Sequence, residues 1–280
     1  MLAFVFVVGL IAAAAIPVGA GRDKAPTPGR ASVSHVSAPA LSMVVGDRTV
    51  RLIALGGPSS DRLLSGIAAS LGAAVDAVET FWGVDWSRDV SVVVAGSGEQ
   101  FRQAAGGGPE PQWADIAAVT VADHVDPAHR VAVGERIVFA PGAANMSAQA
   151  LRIVLTHELF HYAARADTAL DAPHWLTEGV ADFVARPSAA RPSAAPSVAL
   201  TLPSDAELDN AGPQRSLAYD RAWWFARFVA DTYGTATLRA FYSAACGAGH
   251  SDVQSAIRDV LGTDDGEVLA RWREWMLGEH

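Results

Sequence analysis

The chain has 280 residues, of which 50% are hydrophobic and 18% are charged, with a formal net charge of −9 and a single cysteine. Such a chain is long and apolar enough to bury a core in one domain or two small ones. The acidic balance argues against a general nucleic-acid binder, because phosphate contacts need clustered Lys and Arg. Cys246 has no second cysteine to pair with, which excludes an intrachain disulfide framework.

The N-terminal segment, "MLAFVFVVGLIAAAAIPVGA", has no charged side chain and ends in Val-Gly-Ala, which suits signal peptidase. We therefore predict a signal peptide over residues 1–20 and a secreted or extracytoplasmic protein. A signal peptide normally has Lys or Arg before its apolar run, however, and residues 2–20 are just long enough for an uncleaved membrane anchor. Such an anchor would leave the basic residues 22, 24 and 30, and with them the body of the protein, on the cytoplasmic side.

The segment that follows is rich in Pro, Ser, Gly and Ala and shows no apolar period. We interpret residues 21–43 as a flexible linker. The remainder, 44–280, shows no long fixed-period repeat and is predicted to be a single domain, with an α+β lobe leading into a helical lobe.

The first part of this domain, 44–146, is predicted to be a small α+β lobe with a mixed sheet. Short runs rich in β-branched residues predict strands, and one stretch between them carries apolar residues at helical spacing, near 63–82. The predicted strands are 49–57, 89–97, 116–123 and 136–142.

The second part, 147–280, is predicted to be mainly helical, which makes the fold class α+β. The predicted helices are 147–165, 174–185, 216–233, 235–246, 251–261 and 264–277. Between the second and third helices, residues 186–205 contain a doubled "RPSAA" and four prolines, which indicates an exposed loop.

The segment "VLTHELFHYAARA" carries two histidines and a glutamate in a largely apolar helix. Residues four apart lie on one helix face, so His157 and His161 can direct their rings at one metal ion. Glu158 is offset by about 100°. Its carboxylate would lie beside the ion, where it can accept a proton from a bound water.

The next predicted helix, "APHWLTEGVADFVA", carries Glu178, and the turn between the helices gives room for an antiparallel return. Two His and one Glu, with water at the fourth position, are typical of an open catalytic zinc site. Two alternatives stay open on the residues alone. The histidines could be ordinary surface or buried helix residues, or the three ligands could hold iron, as in oxygenases.

Residues His157 to His161, followed by "WLTEGVA", resemble the gluzincin metallopeptidases of the thermolysin-like, peptidase MA-like clan, most closely the small bacterial members with a "WLxEGxA" glutamate helix. The resemblance covers about 157–182. It implies a zincin-like active-site helix between the two lobes, with Zn2+ held by His157, His161 and Glu178. It also implies Glu158 as general base for hydrolysis of a peptide or protein substrate by a zinc-bound water.

The resemblance suggests further roles around the ion. Asp182, one turn after Glu178, would hold a zinc-binding histidine, although it could equally be a solvated helix residue. A donor for the oxyanion would come from Tyr219, with His174 as the alternative, while Tyr219 could also be an ordinary core aromatic. An edge strand before the active-site helix would receive extended substrate, and "RIVFAPG" at 136–142 stands at that place.

These features predict an exported zinc metallopeptidase, either free or anchored through residues 2–20. The alternative is a catalytically inactive metal-binding envelope protein of the same fold that binds a peptide or protein partner. The sequence carries no signal for an oligomeric state.

Overall fold

The computed structural model describes residues 40–109, 113, 116–188, 201–209 and 213–278, with side chains described from Arg215 in the last range. The predicted signal peptide or anchor lies outside the described residues. So does the part of the predicted linker before residue 40, together with 189–200 of the predicted loop.

A five-stranded mixed sheet forms the N-terminal lobe, in the order β1-β2-β3-β7-β4. Strands β2, β3 and β7 are parallel, and the two outer strands run antiparallel to their neighbours. Strands β5 and β6 form a separate antiparallel hairpin. The strands are β1 (Ala40–Val45), β2 (Arg48–Ala54), β3 (Asp89–Val94), β4 (Ala118–Val121), β5 (His124–Asp126), β6 (Val131–Val133) and β7 (Arg136–Phe139).

Two predictions about this lobe are wrong. The linker was predicted to reach residue 43, but β1 begins at Ala40 and pairs along its length with β2. Most β1 side chains are exposed, so its apolar pattern was too weak to identify it. The strand predicted at 136–142 was expected at the sheet edge, but β7 lies between β3 and β4. Its run Ile137–Phe139 is fully buried, as is typical of an interior strand.

Helices make up most of the remaining structure, so the predicted α+β fold class is confirmed. The helices are α1 (Ser60–Trp82), α2 (Gly98–Ala104), α3 (Ala148–Ala164), α4 (His174–Ala185), α5 (Asp205–Asp209), α6 (Pro213–Tyr233), α7 (Thr235–Cys246), α8 (Val253–Ala256) and α9 (Asp265–Leu277). One π-helical turn, Ile257–Leu261, follows α8. The short α2 and α5 and the β5–β6 hairpin were not predicted.

Helix α3 lies at the centre of the molecule. It begins after Ser147, whose hydroxyl accepts a hydrogen bond from the Ala150 N–H at 3.2 Å, and this cap satisfies one free amide of the first turn. From Val154 to Ala164 every residue of α3 is buried, because the helix packs between the sheet lobe, α1 and α4. A helix so enclosed holds its side chains in fixed positions, which a constellation of functional groups requires.

Helix α1 is the helix among the described residues that is long and apolar enough to cross a membrane. Its buried residues recur every three or four positions, from Leu63 to Trp82, and belong to the same core as α3. Packing of one apolar face against the core accounts for this composition.

Gly179 allows α4 to pack closely against α6. A methyl group at this position would lie 2.4 Å from the Ala222 carbonyl oxygen, which is part of the α6 backbone. The two helices can therefore approach only where residue 179 has no side chain. This contact fixes the depth at which α4, with the neighbouring Glu178, enters the core.

We predict opposite effects of Gly→Ala in the two helices. Gly179→Ala should lower the free energy of unfolding by about 1–3 kcal/mol, because backbone must move to relieve the clash. Gly72→Ala is the matched control, since it is exposed in α1 and an added methyl meets nothing within 4 Å. It should stabilise the protein by up to about 1 kcal/mol through helix propensity. Urea unfolding measures both, and equal effects would contradict the close α4–α6 contact.

Candidate metal centre and active site

Helices α3 and α4 bring three potential metal ligands together in the core. His157 and His161 lie one turn apart on α3, with their Nε2 atoms 3.0 Å apart. Glu178 faces them from α4, with Oε2 3.4 Å from His157 Nε2 and Oε1 3.2 Å from His161 Nε2. The side chains of His157 and Glu178 are fully buried and that of His161 is 5% exposed. The three residues predicted as ligands are thus neighbours in space.

The geometry of this group fits a metal ion. One ligand atom from each residue can be chosen so that all lie within 4.8 Å of one another. Two donors bound to one ion at about 2.0–2.1 Å with tetrahedral angles lie roughly 3.3–3.4 Å apart, close to the separations found here. Both Glu178 oxygens are buried without a hydrogen-bond partner, which is a cost that a cation between them and the imidazoles would remove. The group could therefore hold a metal ion.

The ionised state of Glu178 also favours a cation. Burial alone would raise the pKa of Glu178, but the neighbouring His161 and His157, with a contribution from His174, hold it well below its ordinary value. The carboxylate is therefore ionised inside the core. Burial lowers the pKa of His161 against the opposing charge of Glu178, and this favours the neutral ring that a metal ligand requires.

Asp182 supports His157 from the side opposite Glu178. Its Oδ1 lies 3.1 Å from His157 Nδ1, while Arg186 donates a hydrogen bond of 2.8 Å to its Oδ2. The Arg186 guanidinium in turn lies over the Trp223 ring, 4.3 Å from the centroid. With Nδ1–H directed at a carboxylate, the His157 ring presents Nε2 to the ligand group. This is the position expected for Asp182, and Arg186 was not predicted.

Glu158 is held beside the group by strand β4. The Thr120 Oγ1 lies 2.8 Å from Glu158 Oε2 and 2.8 Å from the Glu158 carbonyl oxygen. Both residues are buried, and the charge of Glu158 acts on His161. Thr120 thus limits the rotation of the Glu158 carboxylate next to the potential ligands. No local sequence pattern marks Thr120, because its partner is 38 residues away.

The two candidates for an oxyanion donor are placed differently. Tyr219, on α6, is 6% exposed, and its pKa is raised first by burial and then by the negative charge of Glu178. Its phenol therefore stays protonated and can donate a hydrogen bond. His174 is the first residue of α4, and its Nε2 lies 3.4 Å from Glu178 Oε1. Its contact is thus with the carboxylate of the ligand group.

A pocket of about 290 Å³ lies at the C-terminal end of α3, lined in part by the two residues that follow His161. Among its lining residues are Trp86, Arg130, Glu135 and Tyr162. Burial raises the pKa of Glu135 to about 8, although the charge of Arg165 opposes the shift. Its Oε1 is buried without a hydrogen-bond partner. Glu135 therefore destabilises the folded protein when it ionises.

A scan against protein-family models finds no match, and a search of curated proteins finds no significant match.

We predict that Glu135 makes stability fall as the pH rises. Between its ordinary pKa of 4.5 and about 8, the folded protein keeps a proton that the unfolded chain has lost, so a rise in pH favours unfolding. The free energy of unfolding should fall by up to about 1.4 kcal/mol per pH unit in this window. Glu135→Gln should remove this part of the slope, as urea unfolding at several pH values would measure. If stability depends on pH with the same slope in both proteins, the pKa of the Glu135 carboxyl is not raised by burial.

We also predict that Asp182→Ala weakens binding of a divalent metal ion by about 10- to 100-fold, because His157 loses the partner that orients it. Competition with a chromophoric chelator measures the affinity, and circular dichroism checks the fold. The control is Asp171→Ala, whose carboxylate is 88% exposed and also contacts a histidine. Unchanged affinity in Asp182→Ala would show that His157 needs no support.

Proposed function

We propose that this protein is a zinc-dependent metallopeptidase of gluzincin type. The observation that carries the proposal is the buried group of His157, His161 and Glu178, with the carboxylate of Glu158 fixed beside it. A surface pair of histidines would not explain three buried donors at tetrahedral spacing, nor a second carboxylate held next to them. The short match to the gluzincin pattern supports the same conclusion.

Zinc is the proposed ion, because two imidazoles and one carboxylate on a zincin-type pair of helices suit it. When bound, Zn2+ supplies Lewis acidity, which lowers the pKa of a water molecule towards 7 and polarises a substrate carbonyl. His157, His161 and Glu178 would hold it, and Asp182 would keep the His157 ring in the ligating orientation.

Glu158 is proposed as the general base and acid. It would take a proton from the attacking water and deliver it to the amine nitrogen as the peptide bond breaks. Thr120 assists by keeping the carboxylate in place, so less ordering is needed when substrate binds. Tyr219 is the proposed donor to the developing oxyanion. Its phenol is protonated, and the charge of Glu178 contributes to its raised pKa.

Strand β4 is the proposed binding edge for substrate. It is the outermost strand of the described sheet and pairs only with β7 there, so its other edge can pair with an extended peptide. Thr120 belongs to β4, and a peptide on this edge would lie near Glu158. This arrangement supports a peptide or protein substrate and replaces β7 as the substrate-binding strand.

We further propose that the protein is exported and acts outside the cytoplasm. The support is the apolar segment at 2–20, which would serve as a signal peptide or as a retained membrane anchor. Mass spectrometry of the mature N-terminus separates the two.

The test of the proposed function is Glu158→Gln in zinc-loaded protein. The amide keeps the shape but cannot accept the proton, so hydrolysis of a peptide library should fall at least about 100-fold while zinc content stays unchanged. Glu99→Gln, an exposed glutamate on α2, is the control and should keep full activity. Equal turnover in wild type and Glu158→Gln would overturn the proposed mechanism. Zinc binding without any cleavage would favour a non-hydrolytic binding protein.

A further inference from the structure

His174 is a third histidine at the ligand group. It lies four residues before Glu178, so the two side chains share one face of α4. Its Nε2 is 3.4 Å from Glu178 Oε1 and is itself buried without a hydrogen-bond partner, while the side chain as a whole is 17% exposed. A buried imidazole nitrogen directed at a carboxylate calls for a specific role, because leaving it unpaired is costly.

The geometry separates His174 from the three ligands. The group of donors that all lie within 4.8 Å of one another, searched over the described residues, comprises His157, His161 and Glu178. His174 contacts Glu178 but is not a member of that group. His174 is therefore a neighbour of the potential ligand Glu178 and not itself a ligand. Asp182 has the same relation to His157.

We propose that His174 is a positioning residue whose Nε2–H donates a hydrogen bond to Glu178 Oε1 and fixes the rotation of the carboxylate. This inference rests on the proposed function in so far as Glu178 binds the ion. Oε2, which faces His157, is then the oxygen left for the cation. Such hydrogen bonds are often long until a site is complete, which agrees with the separation of 3.4 Å. Because Nε2 is buried against Glu178, His174 does not serve as the oxyanion donor.

The start of α4, which carries His174, is held by a residue that is distant in the sequence. Pro173, the residue before the helix, makes no side-chain hydrogen bond that caps it. Instead, Asp205 Oδ1 accepts a hydrogen bond of 2.8 Å from the Trp175 N–H. Asp205 is anchored through α5, where Glu207 accepts a hydrogen bond of 2.7 Å from the buried Arg221 of α6. The imidazole is thus attached to a fixed helix end, as positioning requires.

The test compares zinc affinity in four proteins by chelator competition: wild type, His174→Ala, His174→Gln and His250→Ala. His174→Ala should bind zinc about 10- to 100-fold more weakly. His174→Gln should recover most of the loss, because the glutamine amide places an N–H donor near the position of Nε2. His250→Ala is the matched control for His174→Ala, since His250 is 16% exposed and lies 3.3 Å from the Asp171 carboxylate. It should bind like the wild type.

Cobalt substitution distinguishes positioning from ligation. With Co2+ in place of zinc, His174→Gln should keep the wild-type visible bands, because the ligand set is unchanged. Altered bands would make His174 a ligand and overturn the inference, as would unchanged zinc affinity in His174→Ala or no recovery in His174→Gln. In each of these outcomes the wild type still binds zinc and the proposed function stands. Absence of zinc binding by the wild type would overturn the metal centre itself.

Discussion

The burial of one negative charge, the carboxylate of Glu178, is the constraint on which the rest of this structure depends. A carboxylate in an apolar core is strongly unfavourable unless positive charge or hydrogen-bond donors surround it. Here three imidazoles do so, two from α3 and one from its own helix. They satisfy the charge only in part, since both oxygens lack a hydrogen bond. A divalent cation is the species that would complete this environment.

The surrounding architecture can be understood as support for that group. Helix α3 is enclosed almost completely, which fixes the histidines, and Gly179 lets α4 approach α6 so that Glu178 faces them. One further side chain lies next to each of three functional groups: Asp182 beside His157, His174 beside Glu178 and Thr120 beside Glu158. These side chains come from the sheet as well as from the helices. The α+β lobe therefore contributes to the site and is not only a scaffold for it.

The three potential ligands could be identified from the sequence because their placement follows local rules. The spacing of His157 and His161 is a property of one helix turn, and the bounds of α4 and α7 were predicted to the residue. The strand at 136–142 was wrongly expected at the sheet edge, because a strand's position in a sheet depends on long-range pairing that its own sequence does not encode. Thr120 and Arg221 were missed for a related reason. Thr120 contacts a residue 38 positions away and Arg221 one 14 positions away, so no local pattern connects either pair.

The central claim is that His157, His161 and Glu178 bind a metal ion. The most direct measurement is the zinc content of the purified protein by elemental analysis, beside a His161→Ala variant that loses one ligand. We predict about one zinc per chain in the wild type and a large loss in the variant. If the wild type holds no metal after zinc is offered near neutral pH, or if the variant retains as much zinc, the three buried groups are not a metal centre.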